Sequence, residues 1–218
     1  MDQHTDWLDW HREYADPSSS LSRRRRVVQG YLRGILAGLE PTAEPIRLLS
    51  MCAGDGGDVL PVLAALRSGP AVRALLVELD PELAGRARAQ ASQLGLAEVR
   101  VRTADAGRSA SYAELVPAHI VLACGVFGNI EPADVRRTVG ALPGLLCPGG
   151  WVIWTRGRGA DGTDASQWVR KLFAERGFAE LGFSAPDDAK FRVGLHRLQR
   201  PPRDSTELPD ELFRFGQA

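Results

Sequence analysis

Lysine is nearly missing from this chain: of its 27 basic residues, all but Lys171 and Lys190 are arginine. With alanine and glycine abundant, that bias reads as compositional. Net charge is missing too. The 27 basic residues are balanced by 27 acidic ones, which excludes a global electrostatic pull toward nucleic acid or an anionic membrane. Cysteine is scarce. Cys52, Cys124 and Cys147 are too few and too dispersed for a disulfide framework, and they lack zinc-site spacing, so no metal is expected. There is no apolar run long enough to cross a bilayer and no signal-peptide pattern. The expectation is a soluble protein of the reducing cytoplasm, without a membrane or nucleic-acid partner. Internal repeats are also absent.

What is present divides into three parts. Residues 1–44 read as an N-terminal helical cap, 45–198 as the main domain and 199–218 as a tail. In the cap, Trp7, Trp10, His11 and Tyr14 recur at helical spacing and so share one face. A second helix is expected from about Leu21 to Leu39, with Arg23–Arg26 on its first turns. Ser18–Ser22 form either a hinge or an N-terminal cap. From residue 46 strands and helices alternate: strand 46–51, helix 57–67, strand 72–79, helix 81–93, strand 98–103, strand 119–124, helix 132–142, strand 151–155 and helix 164–176. Strands separated by helices imply parallel pairing. The last two strands, near 178–184 and 190–198, are joined too closely for a crossover and imply an antiparallel hairpin. In the tail, Leu208, Leu212, Phe213 and Phe215 either dock or stay loose.

The most informative stretch is Ile46-Arg-Leu-Leu-Ser-Met-Cys-Ala-Gly-Asp-Gly-Gly-Asp58. An apolar strand breaks into a glycine-rich turn, and a helix follows. Glycine admits backbone angles that a Cβ forbids and lets a ligand approach the main chain, while the helix N-terminus adds positive potential. About twenty residues on, strand Ala74–Leu79 carries Glu78 near its end, followed by Asp80. A carboxylate there can accept both hydroxyls of a nucleotide ribose.

Together these motifs resemble the class I S-adenosylmethionine (SAM)-dependent methyltransferases, over roughly residues 45–198. Leu49–Asp58 is similar to the family's methionine-binding glycine loop, and Val77-Glu-Leu-Asp-Pro-Glu82 to its ribose-binding strand. Thr103–Ala106 is similar to the stretch whose Asp meets the adenine amino group. Ile120–Asn129 resembles the fourth strand and the loop facing the methyl group. Leu145-Leu-Cys-Pro-Gly-Gly-Trp-Val-Ile153 resembles the entry to the fifth strand. The resemblance implies an α/β, Rossmann-like, seven-stranded, mostly parallel sheet with an antiparallel C-terminal hairpin and an N-terminal helical lid. It implies SAM as cofactor and S-adenosyl-L-homocysteine as product. Cys52, Ala53, Gly54, Gly56, Glu78, Leu79, Asp105, Ala106, Cys124, Gly125 and Val126 are the implied cofactor residues.

The loop departs from the family pattern. Ser50 and Cys52 stand where an acid and a glycine are usual, and a Cys is expected to keep ordinary backbone angles. Asp55 and Asp58 offer acids nearby. Phe127 and Asn129 are expected to shape the methyl-transfer face, with Phe127 equally readable as core. Arg156 and Arg158 are either acceptor-pocket charges or loop residues. Trp7 and Trp10 either pack on the sheet or cover the acceptor. In the covering reading His11 is the candidate general base, with Tyr14 beside it. Arg23–Arg26 read first as a solvated face, with a phosphate or carboxylate grip as the alternative. Trp151 and Trp154 read as core, and His119 as structural.

The function so implied is methyl transfer to a small-molecule acceptor, at oxygen or nitrogen, of the kind found in specialised metabolism. Two alternatives stand beside it: an NAD(P)-dependent oxidoreductase, and a non-catalytic SAM-binding or interaction protein. A homodimer is compatible with the sequence.

Overall fold

The computed structural model describes residues 16–40, 43–66, 69–159, 162–199 and 208–215. Within them, helix α1 (Ser20–Ala37) is followed by β1 (Ile46–Met51), α2 (Leu60–Ala64), β2 (Val72–Glu78), α3 (Pro81–Gln93) and β3 (Val99–Thr103). A 3-10 turn (Ser109–Tyr112), β4 (Ala118–Ala123), α4 (Pro132–Leu145), β5 (Leu146–Gly157), α5 (Ser166–Glu175), β6 (Phe178–Ser184) and β7 (Phe191–Leu198) complete the order. The seven strands form one sheet in the order β3-β2-β1-β4-β5-β7-β6. Pairing is parallel through β5, and β7 joins antiparallel to both β5 and β6. The expected sheet and terminal hairpin are therefore present. No helix among the described residues is long and apolar enough to cross a membrane.

Strand periodicity explains why the sheet is covered on both faces. Leu49, Met51, Leu75, Val77, Val121, Ala123, Val152 and Trp154 point to one face and meet α4, α5 and the segment 212–213. Their neighbours Leu48, Ala74, Leu76, Ile120, Leu122 and Ile153 point to the other and meet α1 and α2. Successive side chains on a strand alternate, so near-continuous apolar strands need two cores. On α1 the stripe Val28, Leu32, Ile35 and Leu36 is buried, as a helix repeat of 3.6 requires. Ser19 caps this helix, accepting from the Ser22 amide at 3.0 Å, which decides between hinge and cap.

Three elements depart furthest from their expected boundaries. Helix α2 starts at Leu60, because the residues before it are held in turns with Gly54 and Gly56 at positive φ. Helix α4 continues through Pro143, since Leu142 and Leu145 are both fully buried and that packing outweighs local propensity. Strand β5 begins at Leu146, paired with Ala118, and the register then skips Cys147–Gly150 before Trp151 meets Ile120.

Sheet order also locates the site. β1 is flanked by β2 and β4, so the direction of strand addition reverses there, and a crevice opens at the strands' carboxyl ends.

Candidate active site

A cavity of about 410 Å³ occupies that crevice. The loop after β1 forms its floor. Cys52 has φ 50° and Gly54 φ 56°. Left-handed angles are free for Gly54 but cost a Cβ-bearing residue about 1–2 kcal/mol. The expectation that Cys52 keeps ordinary angles is thus overturned: the chain makes the glycine-type turn without glycine. The residue as a whole is half-buried, and burial of its thiol, then the Glu78 and Asp105 carboxylates, push its pKa well up. It is a neutral packing group.

One side chain ties this turn to the end of β2. Glu78, at the end of β2 and only 9% exposed, accepts from the Gly54 amide through Oε2 at 2.7 Å and from the Asp80 amide through Oε1 at 2.9 Å. A carboxylate has about four acceptor sites, so each oxygen retains capacity toward the cavity that Glu78 lines. Asp80 lines the cavity too, but its Oδ1 caps α3 through the Glu82 and Leu83 amides. Asp105, after β3, turns Oδ1 onto the Gly107 amide at 2.7 Å and also lines the cavity.

Helix α1 closes the second side. Arg24, 7% exposed, lies one turn before Val28 on the buried stripe and pairs with Asp58 at 3.5 Å. Arg25 pairs with Asp55 at 3.1 Å, and Gln29 donates to the Gly57 carbonyl at 2.7 Å. The solvated-face reading of Arg23–Arg26 therefore fails for Arg24 and Arg25, which line the cavity. It holds for Arg23, whose bidentate pair with Asp188 faces solvent, and for Arg26, which donates to the Pro17 carbonyl. The missed signal was the helix repeat: extending the apolar stripe back by four residues lands on Arg24.

The C-terminal segment closes a third side. Leu212 and Phe213 are fully buried, and Phe215 lines the cavity. The Leu212 amide donates to the Gly107 carbonyl at 2.7 Å, and the Leu212 carbonyl accepts from Thr138 Oγ1 at 3.0 Å. Isolated bridges tie Glu211 to Arg108 and Phe215 to Ile130. Of the two readings of the tail, docked is correct for 208–215.

Among the anticipated cofactor residues, Cys52, Ala53, Gly54, Glu78, Leu79, Asp105, Ala106, Cys124 and Gly125 share this cavity. Gly56 and Val126 do not. Gly56, at φ 79°, sits against Leu60 and Leu76, where a Cβ would crowd both. Val126 is fully buried in the core. Phe127 is likewise fully buried, packed on Trp154 and Phe173, so its placement on the methyl-transfer face is corrected to core. Asn129 is exposed and closes its own loop on the Gly125 carbonyl at 2.7 Å. Arg156 is committed to the Phe127 carbonyl, and burial lowers its pKa. Trp154 is core as read, but Trp151 is only partly buried beneath Arg197. His119 accepts the Arg47 amide at Nδ1, a structural role. Trp7, Trp10, His11 and Tyr14 lie outside the described residues. Among the described residues no three His, Cys, Asp or Glu side chains are placed so that they could hold one metal ion.

Neither a protein-family model nor a curated protein matches the chain. Solved structures do. The chain is similar to magnesium protoporphyrin IX methyltransferase from Synechocystis PCC 6803, which holds bound SAM. The TM-score is 0.64 and the identity 16%, over 89% of this chain and 91% of that one. It is similar to the CMeT domain of the citrinin polyketide synthase at TM-score 0.62 and 18% identity, over 82% of this chain and 52% of that one. An RNA methyltransferase from Salinibacter ruber, in complex with S-adenosyl-L-homocysteine, is similar at TM-score 0.52 and 22% identity, over 84% and 97%. At these identities the likeness establishes the fold: this chain has the class I methyltransferase fold. The named acceptors of those proteins differ widely, so the fold leaves the acceptor open.

Proposed function

We propose that this protein is a SAM-dependent methyltransferase acting on a small-molecule acceptor through oxygen or nitrogen. The observation that carries the reading is one cavity, at the carboxyl ends of the first four strands, where a left-handed turn, the Glu78 carboxylate and the Asp105 carboxylate converge. Five carboxylates line it (Asp55, Asp58, Glu78, Asp80 and Asp105) against two guanidiniums, Arg24 and Arg25. That excess of negative charge suits a sulfonium cation and opposes the pyrophosphate of a dinucleotide. The oxidoreductase alternative loses ground for this reason.

When bound, SAM supplies a methyl carbon made electrophilic by its sulfonium. The chain's part is to bind, orient and exclude water. Glu78 has acceptor capacity left for ribose hydroxyls, and Asp105 Oδ2 for a nucleobase amine. Arg24 and Asp58 present both signs of charge to an amino-acid group at the glycine loop. Such positioning supplies most of the acceleration expected for a direct displacement. His11, with Tyr14, is the proposed base where the acceptor must lose a proton, and Trp7 and Trp10 the proposed acceptor cover. A small acceptor is favoured over RNA because the chain has no net positive charge.

Parallel calorimetric titrations with SAM, S-adenosylhomocysteine and NAD(H) test this. Binding of the two sulfur nucleosides without NAD(H) is expected. NAD(H) binding alone overturns the reading. Cofactor binding without turnover, across small molecules and RNA, would leave the non-catalytic alternative.

A further inference from the structure

Along the described C-terminal residues the backbone is anchored, and one side chain also faces the cavity. Leu212 and Phe213 are fully buried, and the Leu212 peptide is bonded on both sides, to Gly107 and to Thr138. The Arg214 amide adds a bond to Asp134 Oδ2 at 2.8 Å. Phe215 is only partly buried, and its ring lines the cavity beside Asp105 and Ala106, braced edge-on by Phe213 at 5.5 Å. The strap spans the crevice mouth: it is bridged to Arg108, after β3, on one side and to Ile130, after β4, on the other.

The order of groups along the sheet says what meets Phe215. If Glu78 at the end of β2 takes the ribose and the loop after β1 takes the amino-acid end, the nucleobase extends the other way, toward β3. There it meets Asp105, Ala106 and the strap. A planar heterocycle packs well on an aromatic face, and that contact is insensitive to base edge chemistry.

We propose that residues 208–215 are part of the cofactor site, with the Phe215 ring as the wall against which the nucleobase packs. This rests on the cofactor reading given above. The strap then makes the site from both ends of the described chain: α1 closes the amino-acid end and residues 208–215 the base end.

The test is calorimetric titration of wild type, Phe215→Ala, Phe215→Leu and Phe215→Tyr with S-adenosylhomocysteine and with 5′-methylthioadenosine, which keeps the nucleoside and lacks the amino-acid end. Phe215→Ala should weaken both ligands by the same factor, about tenfold for the loss of one base-aromatic contact. Phe215→Tyr should bind both as wild type does. Phe215→Leu keeps apolar bulk for folding and should still lose most of the affinity. Thermal midpoints without ligand should change little, because Leu212 and Phe213 remain in place. Unchanged affinity in both Phe215→Ala and Phe215→Leu, with wild type binding, overturns the inference and spares the cofactor reading. Weakened S-adenosylhomocysteine with unchanged methylthioadenosine also overturns it, by moving Phe215 to the amino-acid end. Wild type that binds neither ligand overturns the cofactor reading itself.

Discussion

Glu78 serves the loop and the cavity with one carboxylate. Gly54 and Asp80 donate to its two oxygens, and both oxygens retain acceptor sites. Glu78→Ala should weaken S-adenosylhomocysteine by about 1.5–3 kcal/mol, the range for charged hydrogen bonds, read by calorimetry. Unchanged affinity would remove Glu78 from the site. Glu78→Gln tests the sharing itself: an amide has one acceptor oxygen, so one loop N–H would face an NH2 group, and an intermediate loss is expected. Outside the cavity lining, His196 is fully buried against Phe173, accepts the Trp154 indole N–H at Nδ1, and faces Glu180 across 3.6 Å with Arg170 beyond. Burial pulls its pKa down to about 4. Its folded pKa lies below its unfolded one, so the unfolded chain binds the proton first. Stability is therefore full above pH 6.5 and is lost as pH falls from there to about 4, by an amount on the order of 3 kcal/mol. Denaturant midpoints across that window should slope in wild type and flatten in His196→Gln. An equal slope in both would assign the loss to other groups. Asp164, held at about 2 by Ser166 and Arg192, acts only in a lower window.

At the scale of an element, α1 shows how burial sorts neighbouring residues of one type. Arg23 and Arg24 are adjacent arginines, each paired with an aspartate. Arg23 meets Asp188 in solvent, where such a pair is screened and adds little. Arg24 meets Asp58 with both side chains largely buried, and removing one partner of such a pair costs about 3 kcal/mol or more. Arg24→Ala should thus destabilise strongly in urea unfolding and Arg23→Ala hardly at all. Equal effects would mean that Asp58 is satisfied without Arg24, by solvent or by Arg25 at 3.9 Å. Strap and helix differ in legibility for the same reason. The α1 stripe repeats and can be counted, whereas residues 208–215 have no period, and their partners at Gly107, Ile130 and Thr138 are remote in sequence. Gly107 shows the fit from the other side: a Cβ there would collide with the Phe213 carbonyl oxygen.

For the whole molecule, both described ends of the chain converge on one crevice, although nothing in their composition marks them as site segments. The described part of the cavity begins at Arg24, and the cap of its helix is Ser19. Deleting residues 1–15 should therefore leave S-adenosylhomocysteine affinity unchanged while abolishing turnover of any acceptor found. Lost affinity would place part of 1–15 in the cofactor site, and retained turnover would end the proposal that Trp7, Trp10 and His11 serve the acceptor.

The alternation of strands and helices, the terminal hairpin and the glycine loop with its acid downstream were all legible in the chain. They are local patterns, with periods of 2 and 3.6 and a fixed spacing between strand ends, and local patterns survive without coordinates. Three other outcomes depended on contacts between distant segments. Glu78 and its neighbours must hold Cys52 in a left-handed turn that local propensity disfavours. The sheet's second face must draw Arg24 inward toward Asp58. Gly107 and Thr138 must offer partners to Leu212 before a short apolar tail can dock and carry Phe215 to the cavity. Each is a balance between local preference and packing, and only the tertiary structure supplies the packing term.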